Sequence, residues 1–138
     1  MSTTESGSGG IVGCIVGKGS SSIENSWFKG TAITNGNHCG GIAGASGLAG
    51  DTTATISIVI SNCLNEGSVS GNGKIGGLLG RAVDIETVIR DCLNVGLVSA
   101  TTTSTSGSVV GESSKPCKIE DVHVLDIGKD TGTGSHAD

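Results

Sequence analysis

Four stretches of this chain hold residue types that could do chemistry, and the spacing of each decides how far that chemistry can be taken. Gly71-Asn72-Gly73-Lys74-Ile75-Gly76 fits the GxGxxG spacing of a dinucleotide-binding turn, with Asp91 twenty residues beyond its first glycine. Such a turn must open a helix, and Gly80 interrupts the stretch that would form it. The matching segment TNGNHCGGIAG, one period earlier, keeps its glycines without that spacing, so repetition already explains them. Around Lys18, GCIVGKGSS looks like a phosphate loop, but its first glycine stands one residue too close and Gly19 replaces the expected hydroxyl. His38, Cys39, Cys117 and His123 are zinc-type ligands without a compact ligand spacing, and neighbouring His and Cys on a strand point to opposite faces. Turn and core roles are expected for them.

Carboxylates cluster most densely at Asp84, Glu86 and Asp91. Glycosidases and lyases need acids converging on one face, and no Arg or Lys cluster or further acid from the neighbouring copies joins these three, so a solvated edge is expected. The three histidines lie near tails or turns, leaving no Ser-His-Asp arrangement. No catalytic residue, no cofactor and no metal site is expected.

Composition narrows the function classes further. Trp27 and Phe28 are the only aromatics and there is no Tyr, which weakens readings that need stacking platforms for sugars or single-stranded nucleic acid. A formal charge of −5 repels phosphate backbones, so no nucleic acid partner is expected. The apolar runs fall far short of the ~20 residues that cross a bilayer, so membrane insertion is not expected either. MSTTESGSGG lacks the basic start and apolar stretch of a signal peptide, so export would be arranged on a longer parent, or the protein stays inside.

What organises the chain is repetition. IENSWFKGTA from Ile23, ISNCLNEGSV from Ile60, IRDCLNVGLV from Ile89 and IEDVHVLDIG from Ile119 lie on one another, recurring after 37, 29 and 30 residues. Between them fall GIVG from Gly10, GIAG from Gly41, GLLG from Gly77 and SVVG from Ser108, recurring after 31, 36 and 31. A period near 30 residues means stacked units. β-Branched residues, alternation and glycine-rich turns make each unit a coil of three short strands, and the predicted fold is all-β: a parallel β-solenoid, or β-helix, of about four coils. The domain is expected to run over 10–128, flanked by polar tails at 1–9 and 129–138. Lys18 to Ser22 reads as a turn.

The Gly77-Leu78-Leu79-Gly80 block, its variant Gly41-Ile42-Ala43-Gly44 and the Ile-Asn-Cys-Leu-Asn-x-Gly segment together resemble the GLUG motif repeat, over roughly residues 10–111. The likeness is poor in the last copy, where Asp126 replaces the glycine of Gly30, Gly67 and Gly96. GLUG repeats occur in large bacterial surface and secreted proteins, including regions of adhesins and immunoglobulin A peptidases. The resemblance implies an extracellular or cell-surface display or adhesion scaffold, and it brings no catalytic residue.

Within the predicted coil, Ile23, Ile60, Ile89 and Ile119 form an inward column. Asn25, Asn62, Asp91 and Asp121 form a ladder at a bend, their side chains bonding backbone amides. Gly30, Gly67, Gly96, Gly44, Gly80 and Gly111 mark corners. Cys63 and Cys92 exchange with Ser26 and Val122 in the outer copies, which points to a column of small, buried, free thiols. A bridge between them stays open, because sheet neighbours ~4.8 Å apart are within the Cα range of a disulfide, although in-register neighbours point their Cβ atoms alike.

Neither terminus supplies a cap for so short a stack, so its ends are expected to meet neighbouring repeats or copies of the chain itself, building a larger surface structure or filament. The alternative is a β-helix that binds a host or surface ligand, a glycan for example, or acts as an enzyme, through insertions at 45–55 and 100–106. A third reading, an ice-binding face of Thr52, Thr53, Thr55 and Thr101–Thr105, suffers from the irregular placing of these threonines.

Overall fold

The computed structural model describes residues 7–16, 18–47, 56–83, 86–101, 105–114 and 117–125. Among them every regular element is a strand, as expected of short β-branched runs punctuated by glycine. The first coil holds β1 (Gly7–Gly9), β2 (Val12–Ile15), β3 (Gly19–Glu24), β4 (Trp27–Phe28) and β5 (Thr31–Thr34). The second holds β6 (His38–Gly40), β7 (Ala43–Ser46), β8 (Ile56–Ser61), β9 (Leu64–Asn65) and β10 (Ser68–Gly71). The third holds β11 (Lys74–Gly76), β12 (Leu79–Ala82), β13 (Glu86–Arg90), β14 (Leu93–Asn94) and β15 (Val98–Ala100). The fourth holds β16 (Ser106–Gly107), β17 (Val110–Ser113), β18 (Cys117–Glu120) and β19 (His123–Val124).

Equivalent strands stack into five faces. The first is β1-β6-β11-β16, the second β2-β7-β12-β17, the third β3-β8-β13-β18, the fourth β4-β9-β14-β19 and the fifth β5-β10-β15. Every pairing is parallel and joins one coil to the next. The ladder hydrogen bonds therefore run along the stack, and the chain is a parallel β-solenoid of four coils. Ile23, Ile60, Ile89 and Ile119 stand in register in one column of the third face.

The interior has two compartments. Ile42, Ile58, Ile60, Leu78, Leu79, Ile89, Val109 and Val110 fill the larger one, beside the second, third and fourth faces. Cys39, Val69, Ile75 and Val98 fill the smaller, between the first and fifth. Phe28 packs against both. The end coils are less well covered than the middle ones. Ile11, Val16, Trp27 and Ile33 of the first coil are exposed by 43, 53, 60 and 67 %, and its Ile15, Ile23 and Phe28 are only half-buried. In the fourth coil Val109 and Val110 are fully buried, whereas Cys117, Ile119 and Val124 are half-buried.

Several details depart from the sequence reading. A coil holds five strands and not three, since two-residue strands such as Leu64–Asn65 are too short to alternate and the run Ile23 to Phe28 breaks at Asn25. Ser20 to Ser22, read as a turn, belong to β3, where the Ser20 hydroxyl pairs with that of Ser57 at 2.9 Å. Gly7–Gly9, read as tail, pairs with His38–Gly40, because Gly7 and Gly9 fit the close approach of the Val12 and Gly13 carbonyls there. Ala45, Ser46 and Ser106, read as loop, are buried strand residues. Residues 1–6 and 126–138, with 48–55 and 102–104 of the two insertions and so the threonines at 52, 53, 55, 102 and 103, lie outside the described residues.

Candidate functional site

The turn from the third face to the fourth is made by Asn25, Asn62, Asp91 and Asp121, with φ of 53, 52, 52 and 49°. Asn and Asp tolerate this left-handed region better than other side chains. Their side chains do not bond backbone amides as the sequence reading had it. The N–H of Asn25 already donates to Ser61 O, that of Asn62 to Arg90 O and that of Asp91 to Glu120 O. With those amides satisfied by the next coil, the Asn62 Nδ2 donates to Asn25 Oδ1, and the ladder has a direction.

The next residue along supports the same corner. Ser26 Oγ donates to Glu24 O at 3.0 Å, Cys63 Sγ to Ser61 O at 3.2 Å and Cys92 Sγ to Arg90 O at 3.0 Å, each spanning the left-handed residue. Hydroxyl and thiol are thus interchangeable here, and Cys63 and Cys92 are free thiols, each 2 % exposed. The neighbouring Cys92 side chain lowers the Cys63 thiol, while Cys63 and burial push Cys92 up.

A second ladder, which the sequence reading missed, divides the two core compartments. Asn65 and Asn94, 0 and 1 % exposed, share a column with Phe28 and Val124. Asn65 Nδ2 donates to Gly77 O and to Asn94 Oδ1, each at 2.8 Å, and its Oδ1 accepts from Gly67 N at 2.9 Å. Asn94 repeats the pattern on Ser108 O and Gly96 N at 2.8 and 3.1 Å. Buried amides this fully paired act as structural ties, pinning the corner after the fourth face to the Gly-Gly turn of the next coil.

That turn brings the first and second faces together with almost nothing between them. A Cβ on Gly40 or Gly76 would lie 1.9 Å from the carbonyl oxygen of Ala43 or Leu79. Gly44, Gly80 and Gly111, read as corners, lie within β7, β12 and β17, and they are glycines because facing backbones pass too close for a side chain. Gly30, Gly67 and Gly96 do lie at bends, where a Cβ on Gly67 would meet Phe28 and one on Gly96 the Gly67 carbonyl. The Gly77-Leu78-Leu79-Gly80 block is therefore one tight turn with two fully buried leucines.

No family model, curated protein or solved structure matches the chain.

The residues singled out for chemistry do not come together. Gly71 closes β10 and Gly76 ends β11, with no helix between or after them among the described residues. His38 and Cys39 are buried on the first face, whereas Cys117 and His123 lie on the third and fourth faces of the last coil. Among the described residues no three of His, Cys, Asp and Glu gather as a metal site. Burial pushes the Cys39 and Cys117 thiols up to about 11. Glu86 is exposed on β13, Asp91 sits at the corner, and Asp84 lies outside the described residues. Where facing strands of the first and second faces end, Arg81 Nε lies 2.9 Å and Lys74 Nζ 3.8 Å from Glu112 Oε2, and Arg81 Nη1 lies 3.4 Å from His38 Nε2. An open, uncharged groove of about 240 Å³ runs across three coils past Ile33, Asn35, Ser70, Asn72, Ser99 and Thr101.

Proposed function

We propose that this chain is a non-catalytic scaffold segment that grows by stacking its ends on further coils, in a surface or secreted structure of the kind the GLUG resemblance implies. The observation that carries the reading is the state of the first coil. Among the described residues, five edge strands, β1 to β5, have no partner on their outer side, and four exposed large hydrophobics lie beside them. An open edge of that length is a template for another strand layer. Each coil repeats the cross-section of the next, so the layer that fits best is another coil. The buried ladders support the same reading, since their amides are spent on holding coils in register. Sedimentation at rising concentration and electron microscopy test it, and the expected result is association into rod-like particles. A protein that stays monomeric at high concentration would refute it.

A second reading, a ligand-binding flank, is favoured by the uncharged groove alone. It predicts glycan-array binding that is lost when Asn72 and Thr101 are replaced by alanine.

A further inference from the structure

Resting on the assembly reading above, we infer that copies of this chain join head to tail in a single register. The β18–β19 edge of one copy receives β3–β4 of the next, and Asn25 seats on Asp121.

The corner ladder supplies the direction. Within one copy the amide of the later coil donates to the earlier one, Asn62 Nδ2 to Asn25 Oδ1. That leaves Asn25 Nδ2 as a donor at the open face of the first coil. At the other end stands Asp121, exposed and in the same left-handed conformation, whose carboxylate only accepts. The Asp91 and Asp121 steps of the column hold no donor, so a first coil placed one layer beyond a fourth coil repeats the Asn62-to-Asn25 rung, with the amide of the later coil donating to the earlier one. A head-to-head pair would set Asn25 against Asn25, and a tail-to-tail pair would leave both Asp121 carboxylates without a donor.

The flanking columns agree. Extending the registers by one layer puts Ile23 over Ile119 and Phe28 over Val124, and all four are half-buried within a single copy. The exposed Trp27, now anchored through Nε1 to Glu66 at 3.1 Å, comes over His123. One juxtaposition is unfavourable, Glu24 beside Glu120. Lys118, already 2.9 Å from Glu120, lies at that edge to offset it. A head-to-tail contact does not close on itself, so it yields filaments. Four coils at ~4.8 Å each set the axial step at about 19 Å per copy.

The test uses the 138-residue chain and three variants, N25D, D121N and N25D/D121N. All should fold, because Asn and Asp both hold positive φ, and their melting temperatures check this. Cryo-electron microscopy should show filaments with an axial step of about 19 Å. In sedimentation velocity N25D should weaken association about tenfold by removing the amide donor that meets Asp121, D121N should retain it, and the double variant should restore it. Filaments indifferent to N25D overturn this register and leave the assembly reading standing. Closed two-copy particles overturn the polarity in the same way. A chain monomeric at every concentration overturns both.

Discussion

Replacing Asn65 by leucine separates hydrogen bonding from space filling in the buried ladder. Leucine has the branched outline of asparagine at a larger volume, and the same column accepts the still larger Phe28 in the first coil, so shape alone should not object. The substitution leaves Gly77 O, Gly67 N and Asn94 Oδ1 without their Asn65 partner inside the protein. Gly67 N is orphaned at about 2 kcal/mol, whereas Gly77 O keeps the Gly41 amide and Asn94 Oδ1 the Gly96 amide, each losing one bond of about 1 kcal/mol, about 4 kcal/mol together. Burying the leucine returns about 2 kcal/mol. The balance is a loss of about 2 kcal/mol, which for a domain of this size lowers the melting temperature by roughly 7 °C. Urea and thermal denaturation followed by circular dichroism measure it. Adding N94L should cost less than a second independent loss, because the two amides are partners. An N65L protein as stable as the parent would refute the account of the ladder as a tie.

The facing glycines give a paired comparison: G76A, whose Cβ would sit 1.9 Å from Leu79 O, should cost about 3 kcal/mol or more by denaturation, whereas G19A, at φ +103° with open space around it, should cost only about 1 kcal/mol. Cys39 ionises near 11 in the folded chain against 9.0 for a free thiol, so the folded state keeps its proton while the unfolded state loses it. The stability this burial permits is fully present below pH 9 and falls as pH rises through 11, by about 2–3 kcal/mol, and C39A should flatten that part of a stability-versus-pH profile. E112Q, which removes the partner of Arg81 and Lys74, should cost about 1 kcal/mol, less in high salt, by the same denaturation assay.

The architecture was legible because an isoleucine two residues before each Asn or Asp is a long-range signal, repeated four times at nearly constant spacing. The count of strands was not, since β4, β9, β14 and β19 are two residues each and carry no alternation to read. Asn65 and Asn94 stand at matching places in NCLNEG and DCLNVG, which was the available signal. It was obscured because Phe28 and Val124 occupy that column at the ends. The glycines misled in a different way. Sequence shows that a glycine is required and not whether a bend or a crowding neighbour requires it, and Gly44, Gly80 and Gly111 are cases of crowding.

Because the backbone bonds of this solenoid all point along its axis, the molecule has a weak and a strong mechanical direction. Tension applied end to end pulls on every seam in series and should part the coils at the least supported one. The first seam lacks a tie of the inner ladder, since Phe28 cannot donate to the next coil as Asn65 and Asn94 do to Gly77 O and Ser108 O, so rupture should start there. Tension across the rod instead runs down covalent chain within each layer, which would leave the coils whole.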